Sequence, residues 1–186
     1  MRDLFTSKRA LVGVVHLQAL PGTPHNSLSP KKILEHALME AEILAVAGFD
    51  AIILENMHDR PYQNGVVGPE IIANMACVCG EVRRVTQLPL GVQILAGANE
   101  AAMAVAHAGG ANFIRAEGFV FGHVADEGLI EASAGPLLRY RKAIGAEHVK
   151  VLAISRKNTR LMPSQLMWTW LKQLELPSFS RLMGWL

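Results

Sequence analysis

Short apolar runs alternate with amphipathic stretches through the first 153 residues, and that alternation constrains the fold more than any other feature of the chain. Strand candidates lie at 10–16, 51–55, 90–95, 110–118 and 149–153, with helical periodicity between them. Strands alternating with helices build a parallel sheet through right-handed crossovers. Ser29-Pro30 reads as a helix start, with serine as the cap and proline in the first turn. Ile33, Leu34, Ala37, Leu38, Ala41, Leu44 and Ala45 then share one face before Gly48 ends the helix. Pro69 opens a second helix with Ile71, Ile72, Met75, Val78, Cys79 and Val82 on its apolar face. Asn99 is expected to cap a short third helix that stops at Gly109-Gly110. Pro136 and Gly145 bracket a fourth.

The connections are unequal. Those leaving the strands' C-terminal ends are long, at 17–28, 56–68 and 118–135, while most of those entering the strands are tight. A (β/α)₈ barrel has this asymmetry because its active face is built from the βα loops. A doubly wound, Rossmann-like sheet shares it and stays as the alternative. No G-x-G-x-x-G follows the first strand, which counts against a dinucleotide site.

A chain of 186 residues can bury one good core and is read as a single domain. With 51% hydrophobic and 18% charged residues it is globular rather than disordered. A net charge of +2 gives no argument for nucleic acid. No apolar run is long enough for a membrane span. The first strand begins too early for a cleavable signal or transit segment to precede it. Cys77 and Cys79 lie on the second helix and are read as small core residues, without a disulfide framework.

Period-two alternation places a set of polar side chains near the C-terminal ends of the strands: His16, Glu55, Gln93, Arg115 and Glu117. Their predecessors on the same face are small or apolar, namely Val12 and Val14, Ala51 and Ile53, Gly91, and Phe113. A barrel interior needs this layering, packed below and polar at the mouth. Taken singly, His16 is an ordinary hydrogen-bonded histidine and Glu55 with Arg115 a structural ion pair. Their convergence on one mouth makes Glu55, Glu117 and His16 the catalytic candidates, with Gln93, Arg115 and Asn56 as substrate-binding candidates. His58-Asp59, and His123 with Asp126-Glu127, have metal-ligand residue types but no established spacing, so no metal is assigned. The cofactor is left open.

Several spaced motifs carry a resemblance. Gly13-Val-Val-His16-Leu-Gln-Ala-Leu-Pro21-Gly22, Asp50-Ala-Ile-Ile-Leu-Glu55-Asn56 and Ala108-Gly-Gly-Ala-Asn-Phe-Ile-Arg115 resemble the BtpA family, as do Asp126-Glu-Gly-Leu-Ile-Glu131 and Leu137-Leu-Arg-Tyr-Arg141. The resemblance runs from about residue 10 to residue 153. It implies a barrel similar to the ribulose-phosphate-binding barrels. The family is named for a cyanobacterial factor needed to accumulate photosystem I, bacterial relatives are described as sugar or nucleoside enzymes, and animal relatives as mitochondrial. Localisation is therefore expected in the mitochondrial matrix or the cytosol.

Beyond residue 153 the motifs stop, and Trp168, Trp170 and Trp185, all the tryptophans of the chain, fall in the tail. Reading each tail codon from the last base of the codon before it makes Met162-Pro163 yield alanine, Met167-Trp168-Thr169 yield Val-Asp, and Met183-Gly184 yield glycine. The degenerate positions permit a sequence resembling the family's own continuation. The chain is thus expected to hold an N-terminal part of a BtpA-like barrel at 1–153 and a frame-shifted tail at 154–186. Its fold class is an incomplete TIM (β/α)₈-type barrel of about five βα units. Five strands cannot close an eight-stranded barrel, so this product is expected to be a truncated, inactive isoform. The full-length relative is expected to be an enzyme acting on a small phosphorylated sugar or nucleoside-like substrate, Glu55 or Glu117 serving as acid or base and Arg115 holding an anionic group. The alternative is a non-catalytic assembly factor for a membrane or organellar complex.

Overall fold

The structure, a computed structural model, describes residues 4–5 and 10–153. Each predicted strand becomes a short strand of one parallel sheet: β1 (Val12–His16), β2 (Ala51–Glu55), β3 (Leu90–Gln93), β4 (Phe113–Ala116) and, last in the chain, β7 (Lys150–Ala153). The helices α1 (Pro30–Val46), α2 (Pro69–Val85), α3 (Asn99–Ala108) and α4 (Ala134–Ala143) connect them. Between β4 and α4 the chain adds a small antiparallel hairpin of β5 (His123–Ala125) and β6 (Gly128–Ile130).

Strand order separates the two candidate architectures. The sheet runs β1-β2-β3-β4-β7, with every neighbouring pair parallel. A doubly wound fold reverses its strand order at a switch point, whereas a barrel adds each new strand on the same side of the last. This sheet never reverses. It is a partial TIM-type barrel.

Both faces of the sheet are covered, and β2 and β3 are buried along their whole length. On the inner face Ala51, Ile53 and Phe113 form a cluster against which Leu4, Phe5, Val12, Val14 and Leu152 pack. The Phe5 and Phe113 rings meet edge to face with centroids 6.1 Å apart. Gly91 is what makes room for Phe113: a Cβ at that position would lie 2.3 Å from the ring. On the outer face, α1 presents Ile33, Ala37 and Ala41, and α2 presents Ile71, Met75, Val78, Cys79 and Val82.

Local signals explain most of the boundaries. Ser29 Oγ accepts from the Lys32 N–H at 3.4 Å ahead of Pro30. Gly48 follows α1 at φ +82°, a conformation that a side chain would strain.

Four expectations need correction. Asn99 caps nothing; it is the first residue of α3, its side chain turned across to the end of β4. Helix α4 begins at Ala134, two residues before Pro136. The stretch 118–135, read as a plain loop, contains the β5–β6 hairpin. Cys79 is buried as expected, but Cys77 is exposed. The frame-shifted tail expected at 154–186 lies outside the described residues.

Candidate functional site

Sheet register builds the site. His16 pairs with Glu55 and Glu55 with Gln93 at the C-terminal ends of β1, β2 and β3. Between β3 and β4, Val92 pairs with Ile114, so Gln93 and Arg115 are the next residues along. Directly below run Val14, Ile53, Gly91 and Phe113. The polar layer therefore stands on an apolar floor, as period-two alternation requires.

Glu55 is the centre of this row and is buried at 4% exposure. Its Oε2 lies 3.1 Å from His16 Nε2, and its Oε1 lies 3.7 Å from Arg115 Nη1. Both partners are half exposed, with side chains 44% and 39% accessible. A buried carboxylate beside one nitrogen of an imidazole constrains the ring's orientation. Beside it, Gln93 is 3% exposed and its Oε1 has no hydrogen-bond partner among the described residues. An amide oxygen left this way costs about 1–3 kcal/mol, relieved when a donor arrives. His16, Glu55, Gln93 and Arg115 are thus brought together as the sequence implied.

Glu117 stands one residue past β4 and is held differently. Asn99 Oδ1 accepts from the Glu117 N–H at 3.1 Å, and Asn99 Nδ2 donates to the Glu117 carbonyl at 2.6 Å and to Ser133 Oγ at 2.8 Å. Ser133 Oγ in turn donates to the Gly118 carbonyl at 3.1 Å. The Glu117 carboxylate lies 3.1 Å from His123 Nε2, and both side chains are buried. The sequence reading passed over Asn99, Ser133 and His123 as members of this group. An asparagine in front of an alanine-rich helix reads as a cap, and nothing local says that its amide brackets a strand end instead.

Asn56 does not join the mouth. It is 1% exposed; its Oδ1 accepts from the Leu95 N–H at 2.7 Å and its Nδ2 donates to Asp59 Oδ2 at 2.9 Å. Asp59 Oδ1 accepts from the Leu20 N–H at 2.7 Å. These two side chains tie the loops after β1, β2 and β3 to one another. Asn56 is a buried brace between these loops. Burial pushes the Asp59 carboxyl above its usual range, against the two hydrogen bonds that favour its charged form. Among the described residues no group of three or more His, Cys, Asp or Glu side chains is placed to hold a metal ion. His58 and its neighbour Asp59 are not a ligand pair, because the carboxylate is turned into the loop brace.

No helix among the described residues is long and apolar enough to cross a membrane. Comparison with known proteins agrees with the barrel and with the motifs. The chain is 46% identical over 160 residues to an uncharacterised mitochondrial protein of Caenorhabditis elegans, covering 83% of this chain and 58% of that one. It is 38% identical over 138 residues to an uncharacterised protein of Archaeoglobus fulgidus, covering 74% and 55%. It is 34% identical over 149 residues to the photosystem I biogenesis protein BtpA of Synechocystis, covering 80% and 52%. The chain thus spans little more than half the length of these relatives. Residues 7–173 match the BtpA family, and the chain belongs to that family.

Proposed function

We propose that the full-length protein is an enzyme acting on a small phosphorylated sugar or nucleoside-like compound at the mouth of the barrel. One observation carries the reading: a buried glutamate holds a half-exposed imidazole and a half-exposed guanidinium, in register with a buried glutamine whose oxygen has no hydrogen-bond partner among the described residues. In this reading Glu55 orients His16, and the imidazole's other nitrogen takes or gives the proton. Gln93 accepts a hydrogen bond from a substrate hydroxyl, and Arg115 holds an anionic or carbonyl oxygen with its remaining N–H groups. Glu117, held through its backbone by Asn99 and paired with His123, is the second acid or base.

A second reading is favoured by the name of the Synechocystis relative, a photosystem I biogenesis protein. There the same barrel would serve as a non-catalytic binding surface for an assembling complex. Glu55→Gln at the matching position of a full-length relative separates the two. An enzyme loses its orienting charge, so its substrate accumulates in metabolite profiles as it does in the deletion strain. An assembly factor keeps its function with the amide, which is nearly the same shape.

The reading of the tail is part of the proposal. We propose that the chain leaves the family's continuation after residue 153 through a frame shift, a reading that has to accommodate a family match running to residue 173. Sequencing the transcript across codons 150–165 tests this. A transcript whose shifted frame across these codons does not encode the family's continuation would overturn it. The mitochondrial label on the worm relative supports a mitochondrial location for the full-length protein.

A further inference from the structure

The loops after β1 and β2 enclose a cavity of about 260 Å³ whose lining includes Gln18, His25, Ser27, His58 and Arg60. It contains two imidazoles, a guanidinium, an amide and a hydroxyl, and no carboxylate. The absence of acid is the product of how the two loops are folded. In His58-Asp59-Arg60 the middle residue turns inward, where its carboxylate accepts from Leu20 N and Asn56 Nδ2, while its neighbours line the cavity. In His25-Asn26-Ser27 the pattern repeats: Asn26 Nδ2 donates to the Ala19 carbonyl at 2.7 Å and the Leu28 carbonyl at 3.0 Å, and its neighbours line the cavity. Glu70, the other carboxylate beside the first loop, packs over Gly22 and Gly68 instead. The Arg60 guanidinium and several groups able to donate hydrogen bonds are thereby gathered by two braced loops, with no carboxylate in the lining. Such an arrangement favours an anion, because the ordering of the donors precedes binding.

We propose that this cavity is an oxyanion subsite that takes the phosphate of the ligand held at the barrel mouth. The proposal rests on the reading of the mouth given above and supplies its substrate class, a sugar or nucleoside monophosphate. Gln18 is two residues beyond His16 and His58 three beyond Glu55, so chain reach alone keeps them within about 7 Å and about 11 Å, Cα to Cα. One small phosphorylated metabolite spans that separation. The cavity is at the small end of ligand sites, which run from roughly 300 Å³ upward, and suits a phosphate with its ester oxygen better than a whole nucleotide. Its position on the first two βα loops is distinct from the loops after strands seven and eight, where barrels of this type usually bind phosphate.

The test uses the 186-residue chain and two probes, inorganic phosphate and ribose 5-phosphate, by equilibrium dialysis. Saturable phosphate binding is expected, weakened about tenfold by Arg60→Gln through loss of a charge-assisted bond. His58→Gln is the second variant and is expected to weaken it several-fold. Neither side chain makes a hydrogen bond within the described residues, and circular dichroism checks that both variants keep the parent's fold. Phosphate binding that does not saturate, or that both variants leave unchanged, overturns the subsite. Glu55→Gln should leave phosphate binding intact and weaken ribose 5-phosphate. If it weakens neither while Arg60→Gln weakens both, the subsite stands and the reading of the mouth fails. If Glu55→Gln weakens ribose 5-phosphate while Arg60→Gln and His58→Gln change nothing, the mouth stands and the subsite fails.

Discussion

Replacing Gly91 by alanine tests the packing on which the polar row stands. The new methyl would lie 2.3, 2.5 and 2.8 Å from three carbons of the Phe113 ring. Carbon atoms in contact sit about 3.5–4.0 Å apart, so the ring or the strand must yield by about 1 Å. Phe113 is fully buried, packed with Ala51 and Ile53 and met edge-on by Phe5, so it has no open side to move into. Overpacking of this kind costs about 1–3 kcal/mol, and with a ring confined by its neighbours the upper end is expected. The loss should also be specific to the ring. Phe113→Leu removes the overlapping atoms, so in the Gly91→Ala background it should cost less than in the parent, with a coupling of at least about 1 kcal/mol. Pulse proteolysis in urea reads both quantities at concentrations low enough to avoid association. A Gly91→Ala protein within about 0.5 kcal/mol of the parent, or strictly additive single and double changes, would refute the argument.

Other expectations follow from the same contacts. Asn99→Ala removes the amide that brackets Glu117 and leaves a buried N–H and carbonyl unpaired, so the urea midpoint should fall by the equivalent of about 2–4 kcal/mol. Cys79 is buried and its thiol is pushed up to about 12 by desolvation, so under native conditions an aromatic disulfide reagent should label Cys77 alone and reach Cys79 only in urea. The Asp59 carboxyl is raised by burial, so its folded form favours the proton more than the unfolded chain does. Its contribution to stability is therefore complete below the unfolded value of 3.8 and is lost as pH rises through the higher folded value. Asp59→Asn should abolish that component of the stability profile, measured by urea unfolding across the acid range.

Much of this was legible in the sequence because the rules involved are local or strictly periodic. Ser29-Pro30 and Gly48 mark α1, and alternation along β1, β2 and β3 aims His16, Glu55 and Gln93 the same way. Register did the rest, since in a parallel sheet the residues that end neighbouring strands become neighbours themselves. The misreadings occurred where a side chain's partner is remote in sequence. Asn99 bonds to Glu117 and Ser133, 18 and 34 positions away, and Asn56 bonds to Leu95 at 39. An asparagine's choice between capping its own helix and bridging to another strand depends on which neighbour the fold delivers, and no local pattern encodes that. The exposure of Cys77 is a simpler case: it falls two residues before Cys79, and on a helix that spacing turns it off the buried face.

The segment Glu55-Asn56-Met57-His58-Asp59-Arg60 shows how one loop divides labour among like residues. Two carboxylates lie four positions apart and both are buried, yet they do opposite things. Glu55 ends a strand, so its side chain is fixed by the pleat and meets His16 on the neighbouring β1 and Arg115 on β4, two strands away. Asp59 lies in the loop, where no pleat holds it, and it is satisfied by a backbone N–H of the first loop and by Asn56. Glu55 has an imidazole and a guanidinium beside it, and in the proposed reading it orients His16. The charge at Asp59 is met by two uncharged donors and by the nearby His58, and burial outweighs them in setting its proton affinity. The difference predicts different sensitivities. Neutralising Glu55 should spare the fold, since His16 and Arg115 are half exposed and resolvate. Neutralising Asp59 as Asn places its new N–H₂ against that of Asn56, separating the loops that frame the oxyanion cavity. Phosphate binding should then weaken in Asp59→Asn although no ligand-facing group has changed. Equal phosphate affinity in Asp59→Asn and the parent would mean that the loops hold their shape without this brace.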